Sequence, residues 1–565
     1  MNKDIKYRIL LCIGLVLVLF PLSLQFGITY RMRGSSSQYI IDGMGNRIFT
    51  KYYPSNINDP SIMPGVMLFH GMGEDQNSLS TLAYALRMKG FNVFAVDFSG
   101  HGRSSGVIPS GESSDSILAH QVNRAKEYFK SIAGLSDDDI YLVGHSMGSR
   151  AVLKATQTDP TLVGGCVLIG SAIDVDRASN DSWIKDLGPD NPNCDIFILT
   201  GTWDDVHPPQ EALRLFQTLS GNDTITDLRR SYITAYNNTV EIYVFNGLTH
   251  THESMSVGVA LLTASWIRER EIYGNGSSPF YDPLITSIFD IQVWFKVLEV
   301  AGFFLLLIYG QKIIQYEQEK RTEIRSSPEE PTDLFNLKKF YWFKILIWVG
   351  AFAIGLVIAI ILAFLPISIP YFTLIFFCPL AGYGIINVIL YSVGKMPGYK
   401  KKWEPNAMDF FKTVNWWSVL FGIVVFILIT VILAYFIDGV LYHVFPMNIR
   451  LAWLVVFTII STLGFYMFQI ETENLRKTFP NKQKYTMLNS SLFMLPFVIG
   501  AFVILFMGRI IFFVDAVNDV LLVGLVLLVG NLLQQIWKKP LLTGYMQSFL
   551  LFFLLLPRGQ MTFMF

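Results

Sequence analysis

The hydrophobic pattern changes character near residue 289. Before it, short apolar runs alternate with amphipathic stretches; after it, long apolar runs dominate. Runs at 65–69, 92–96, 140–143, 165–169, 195–199 and 240–245 are apolar at nearly every position. That suits strands covered on both faces, the condition of a parallel sheet, better than the in–out alternation of a half-exposed one. Helix-period stretches fit between them at 76–89, 115–132, 146–157, 209–219 and 253–270. Ser35-Ser36-Ser37 and the Gly274 to Pro279 segment read as linkers.

Residues 7–28 are long and apolar enough to cross a bilayer, and Lys3, Lys6 and Arg8 precede or open the run. The run is long for a signal peptide and lacks a small-residue cleavage site, so an uncleaved anchor is expected. Eight further spans are expected near 290–310, 343–365, 371–394, 414–437, 451–470, 487–507, 518–537 and 541–557. Their connections alternate in basic residues. Lys312, Lys320, Arg321, Arg325, Lys338, Lys339 and Lys344 fill the first, Lys395 and Lys400–Lys402 the third. Arg476, Lys477, Lys482 and Lys484 fill the fifth, Lys538 and Lys539 the seventh. The others hold little that is basic beyond Arg450 and Arg509. Basic loops stay cytoplasmic. An integral membrane protein is therefore expected, with its N-terminus inside and residues 31–288 extracytoplasmic. The expected organisation is an anchor over 1–30, an α/β domain over 31–273, a linker over 274–288 and a polytopic bundle of about eight helices over 289–565.

Composition agrees with this division. The 565 residues are 52% hydrophobic but only 16% charged, against about a quarter charged in a typical soluble chain. A formal net charge of zero gives no case for a nucleic-acid partner. The four cysteines have no metal-ligand spacing, and Cys166 and Cys194 are expected as separate buried thiols.

Residues 139–148, Asp-Ile-Tyr-Leu-Val-Gly-His-Ser-Met-Gly, read as a buried strand ending at a serine flanked by glycines. This is the G-x-S-x-G pattern of a nucleophile elbow, in which a sharp strand-to-helix turn exposes the hydroxyl of Ser146. Acyl transfer by serine also needs a base, an orienting acid and oxyanion donors. In an elbow fold these follow in the order Ser, acid, His. Asp204, in Gly201-Thr202-Trp203-Asp204-Asp205, follows a strand and is the expected acid, with Asp205 the alternative. His250, in the loop before the last helix of this domain, is the expected base, with His252 the alternative. The backbone N–H groups of Met147 and of Met72 in His70-Gly71-Met72-Gly73-Glu74 are the expected oxyanion donors. His70, His101, His120 and His207 are expected to be structural. The H-x-H pair lacks a third ligand with clear spacing, so no metal is expected.

Together His70-Gly71-Met72-Gly73-Glu74, Val93 to Ser104 and Gly144-His145-Ser146-Met147-Gly148 resemble the α/β-hydrolase superfamily. More narrowly, they resemble its serine aminopeptidase / monoacylglycerol-lipase-like branch, from about residue 64 to 270. The resemblance implies a mostly parallel sheet flanked by helices, fused here to an α-helical transmembrane bundle. It further implies a Ser146–His250–Asp204 triad with no metal and no cofactor. The branch usually carries a sizeable lid before the acid-bearing strand. Here only 171–193 lie there, with Trp183, Ile184 and Leu187 able to form one short helix.

The function expected is a membrane-tethered serine hydrolase cleaving an ester, a lipid-derived one by preference, through an acyl-enzyme. A peptidase is one alternative. Another is a transporter or lipid-handling bundle with an accessory hydrolase. Expected partners are the ester, lipid or peptide substrate and membrane lipids. Within the spans, Lys296 and Glu299 lie three apart. Asp438, Asp515, Asn518 and Asp519 sit near the expected outer boundary, and Asn531, Gln534 and Gln535 late in the eighth span. Sequons at Asn180, Asn222, Asn237 and Asn275 all fall on the expected outer side.

Overall fold

The computed structural model describes residues 3–31, 34–55, 63–108, 112–159, 163–176, 182–190, 194–224, 226–227, 229–233, 238–271, 298–299, 301–313, 316, 336–365, 368–394, 416–437, 446, 449–478, 482–507, 510–537, 539–557 and 561–562. The 274–288 linker, Lys296, Asp438, most of the 315–335 loop and the sequons at Asn180, Asn237 and Asn275 lie outside these residues.

Nine strands form one sheet. They are β1 (Ser36–Ile41), β2 (Arg47–Tyr53), β3 (Gly65–Phe69), β4 (Asn92–Val96), β5 (Ile140–His145), β6 (Gly165–Ile169), β7 (Asp195–Gly201), β8 (Arg229–Ile233) and β9 (Thr239–Phe245). Their order is β1-β2-β4-β3-β5-β6-β7-β9-β8. The six strands from β4 to β9 across the middle run parallel, while β1, β2 and β8 are antiparallel at the edges. All six expected strands are present. The three edge strands were not expected, and Ser36 and Ser37 belong to β1 rather than to a linker.

Most of the central strands are largely apolar because both faces are covered, whereas β9 alternates buried with half-buried positions. On one face Met67, Phe94, Leu142, Leu168 and Ile198 pack with α3 (Glu112–Ala133), α4 (Met147–Thr158) and α6 (Pro209–Ser220). On the other, Val66, Val93, Val143, Val167 and Leu199 pack with α2 (Ser80–Met88) and α8 (Val257–Glu271). Successive strand residues point to opposite faces, so a run apolar at every position fills both layers. The expected helix over 253–270 is instead two, α7 (His250–Met255) and α8, broken at Ser256, which is extended. Short α5 (Ser182–Lys185) occupies the place of a lid, and its Trp183 and Ile184 are buried.

The remaining helices are apolar. They are α1 (Lys3–Arg31), α9 (Ala301–Ile313), α10 (Leu337–Ala363), α11 (Tyr371–Ser392), α12 (Trp416–Ile437), α13 (Ile449–Thr478), α14 (Lys482–Phe506), α15 (Ile510–Trp537) and α16 (Pro540–Leu555). Among the described residues, six helical segments are long and apolar enough to cross a membrane, and three more apolar helices are shorter. The amino-terminal helix packs on the bundle: a Cβ at Gly302 would lie 2.8 Å from the Gly14 carbonyl oxygen and 2.7 Å from Leu17 Cβ. Small residues at such a crossing let two helices approach closely.

Candidate active site

The carboxyl ends of the parallel strands share one sheet edge, and the loops that leave it carry every residue of the candidate site. Ser146 follows β5 with φ 52° and ψ −117°, the only positive φ at a non-glycine among the described residues. The flanking glycines are sterically required. A Cβ at Gly144 would lie 2.3 Å from the Gly148 oxygen, and one at Gly148 would lie 2.2 Å from the Phe69 oxygen. Strained backbone of this kind costs about 1–3 kcal/mol and persists only where its surroundings hold it.

The amide of Met147 opens α4, where first-turn N–H groups have no intrahelical partner. Opposite it runs the loop after β3. There the Gly71 N–H donates to Glu74 Oε2 (3.0 Å) and Glu74 N–H to the Gly71 oxygen (3.3 Å). Met72 stands at the tip of this turn and is exposed. A Cβ at Gly71 would sit 3.1 Å from Ser146 Cβ, so this loop lies directly against the elbow.

Asp204 follows β7, and Val206 and His207 N–H groups donate to its Oδ1 (2.9 and 2.8 Å). Its Oδ2 accepts from His250 Nδ1 at 2.8 Å, between two buried side chains. Ionised, it lies below the usual carboxylate range. Burial opposes this, and the His250 hydrogen bond and the two amides outweigh it. His250 opens α7 after β9; with Nδ1 committed to Asp204, its Nε2 is left as the basic atom. Burial pushes its pKa down against the pull of Asp204. His252 is exposed and bonds Thr249 Oγ1 (2.8 Å). Of the two candidate acids, Asp204 is the one placed 2.8 Å from His250 Nδ1.

Three further groups surround this pair. His145 Nδ1 meets Glu74 Oε2 (3.2 Å) and its Nε2 meets the His250 carbonyl (3.0 Å). Both partners are acceptors, so both ring nitrogens donate, as in an imidazolium. Burial disfavours that charge, but Glu74 raises the His145 pKa, and Glu74 in turn is held down to about 2 against its own burial. Glu253, one turn into α7, is buried. Its Oε1 accepts from Gly201 N–H (2.5 Å) and Thr200 Oγ1 (3.3 Å), and its Oε2 is 3.8 Å from His250 Nδ1. Burial and the Asp204 charge push its pKa far up, so it is a neutral acid. His145, Glu74 and Glu253 join the expected site only in the folded structure. The available signal for Glu253 was its position three residues after His250, on the same face of a helix.

Structural roles for His70 and His101 agree with their contacts. His70 donates from Nδ1 to the Gly71 oxygen (2.8 Å) and accepts Phe98 N–H at Nε2 (3.0 Å). His101 donates to the Ser99 oxygen (3.1 Å) and accepts Gly73 N–H (3.2 Å). Each is thereby a neutral tautomer, and burial lowers both pKa values. His207 bonds Glu211 (3.1 Å) with its ring 5.2 Å from that of His250. Cys166 and Cys194 are buried free thiols with Sγ atoms 3.5 Å apart. His145, His250 and Glu253 offer ligand atoms within 4.8 Å of one another. Both nitrogens of His145 and Nδ1 of His250 are already hydrogen-bonded, which leaves one imidazole nitrogen and one carboxyl oxygen for a cation.

Residues 63–264 match the family described as serine aminopeptidase, S33. The sheet and flanking helices there have the α/β-hydrolase fold. Over 140 residues the chain is 29% identical to the monoglyceride lipase of Rattus norvegicus, covering 24% of this chain and 43% of that protein. It is 27% identical over 157 residues to a monoglyceride lipase homolog of monkeypox virus, covering 26% and 52%. The chain thus spans about half the length of these relatives or less. A putative alpha/beta hydrolase from Agrobacterium tumefaciens superposes with a TM-score of 0.33 at 16% identity, covering 42% of this chain and 98% of that one.

Proposed function

We propose that the protein is a membrane-tethered serine hydrolase acting on carboxylic esters, with lipid-derived acyl esters the favoured class. The observation that carries this reading is the 2.8 Å contact between Asp204 and His250, formed at the sheet edge where strained Ser146 emerges. In this reading His250 Nε2 takes the proton of Ser146 Oγ as the oxygen attacks the ester carbonyl. Asp204 fixes the ring and stabilises the imidazolium. The Met147 and Met72 amides receive the oxyanion. His250 then protonates the departing alcohol, leaving an acyl-serine. A water, deprotonated by the same nitrogen, attacks that acyl group and releases the acid and Ser146. The similarity to monoglyceride lipases supports a lipid-derived ester over a peptide.

The apolar helices support membrane insertion, and the basic loops support an extracytoplasmic hydrolase domain with the N-terminus inside. Treating membranes with a fluorophosphonate probe tests the chemistry. The full-length protein should label, and Ser146→Ala should abolish labelling; an unlabelled wild type or a labelled variant defeats the reading. Protease added to sealed right-side-out vesicles should cut within residues 31–288. Protection of that region would reverse the orientation.

A further inference from the structure

Arg450 departs from the charge pattern of the bundle, being, with Arg509, one of the few basic residues in connections that otherwise hold little positive charge. It lies in the first turn of α13, where a cation opposes the helix dipole. Stabilising its own helix is therefore no reason for its presence. The side chain leaves the bundle and is buried in the hydrolase domain, at 2% exposure. Its Nη1 donates to the Gly102 oxygen at 2.7 Å and its Nη2 to the Gly100 oxygen at 2.9 Å. A planar guanidinium can hold two separate carbonyls at once, which an ammonium does less well. The charges of Asp75 and Asp97 lie close enough to act on it.

The gripped turn is the one that braces the loop against Ser146. His101, between the two gripped glycines, accepts the Gly73 N–H at 3.2 Å. Asp97, before the turn, accepts Gln76 N–H (2.8 Å) from beyond that loop and Arg103 N–H (2.9 Å) from within the turn. Gly102 has φ +47°, and a Cβ there would strike Asp97 Oδ2 at 2.2 Å, so the turn has little room to relax. Farther along the same connection, Val107 packs against the apolar core of the bundle. Contacts therefore run from α13 through the turn to Gly73, the neighbour of Met72.

We propose that Arg450 is a positioning residue for ester hydrolysis, through which the membrane bundle holds the Gly71–Glu74 loop in the geometry that receives the oxyanion. This rests on the serine-hydrolase reading. The reacting atoms are not touched by Arg450; it acts through Gly100, Gly102 and His101. A detached hydrolase domain would lack this brace, so the bundle is part of the catalytic apparatus as well as an anchor.

The test uses the full-length protein in detergent, with rates on a short soluble ester normalised to sites titrated by fluorophosphonate. Arg450→Ala should lower kcat about 10- to 100-fold, somewhat less than direct loss of an oxyanion donor, with KM changed by less than about threefold. Arg450→Lys should recover part of that loss, as should added methylguanidinium with the Ala variant. His101→Ala should act through the same path, so the double variant should lose less than the product of the two single losses. Trp453→Phe, on the same helix but bonded to the Ser368 oxygen within the bundle, should leave kcat unchanged. An unchanged kcat in Arg450→Ala, multiplicative losses with His101→Ala, or an equal loss in Trp453→Phe each overturns the proposal. Loss of wild-type labelling would instead defeat the hydrolase reading itself.

Discussion

Within the candidate site, two buried carboxyl groups border one imidazole and their hydrogen-bond partners and neighbouring charges give them opposite states. Asp204 is ionised because it accepts from His250 and two amides, whereas Glu253, beside that charge and more deeply buried, stays protonated. Its role as a neutral acid makes a sharp prediction. Glu253→Gln keeps an acceptor for Gly201 N–H and a donor toward Asp204, so kcat/KM should remain within about threefold. Glu253→Ala orphans a buried amide at a cost of about 1–3 kcal/mol, read as a lower thermal midpoint and a slower ester turnover. If the Gln variant were as damaged as the Ala variant, the ionised form would be the working one. In the proposed mechanism His250 sets the pH profile. As a base it must be neutral, and burial holds its pKa below 6.5. Activity should rise with pH through a midpoint below 6.5 and be lost as pH falls beneath it. A midpoint above 6.5 in kcat/KM would mean that Asp204 outweighs burial. As candidates, Ser146, Asp204 and His250 are legible in the sequence because a strand end, a turn residue and their order along the chain mark each. The choice between Asp204 and Asp205, or His250 and His252, turns on which way adjacent loop residues face, and no periodicity encodes that. His145 and Glu74 were less visible still, since their ion pair joins loops 71 residues apart.

Among the secondary-structure elements, legibility followed burial. The six parallel strands stand out as runs apolar at nearly every position. β1, with a mostly exposed burial pattern, and β8 lie at the sheet edges and offer no such run. The bundle helices were located to within several residues, yet hydropathy could not pair them. One internal contact shows what it missed. Lys344, assigned by its charge to a cytoplasmic connection, is buried within α10 and bonded to Tyr383 and Glu471 from α11 and α13. Breaking a buried ion pair on one side is costly, about 3–5 kcal/mol, because the remaining charge has no partner. Lys344→Met should therefore lower the unfolding midpoint of the protein in detergent, and adding Glu471→Leu should restore much of it. A single variant as stable as wild type would show that Glu471 finds another partner or a proton.

Taken whole, the molecule turns its candidate site toward the bundle of apolar helices. The turn held by Arg450 leaves the carboxyl end of β4, and β3, β5, β6, β7 and β9 run parallel to β4. The loops bearing Ser146, Asp204 and His250 therefore lie on the same edge as the contact with the bundle. With α5 only four residues long, little of the chain between β6 and β7 is available to enclose an acyl group. Two large apolar side chains instead stand open at that edge, Met72 at 64% exposure and Trp203 at 67%. A single exposed apolar residue is ordinary on any surface, but these two occupy the Gly71–Glu74 loop beside Ser146 and the turn just before Asp204. An ester held in a bilayer can bury them as it enters, whereas a small ester in water cannot. Partial burial of each ring or thioether is worth about 1 kcal/mol, roughly fivefold in a binding constant. Trp203→Ser and Met72→Ser should each raise KM by about that factor for a long-chain ester in vesicles, with kcat nearly constant. Neither should change the kinetics of a short soluble ester, because in the proposed mechanism Met72 contributes its backbone N–H and Trp203 no reacting atom. Equal losses on both substrates would mean that the substitutions had disturbed the loops themselves and that these side chains do not meet the lipid.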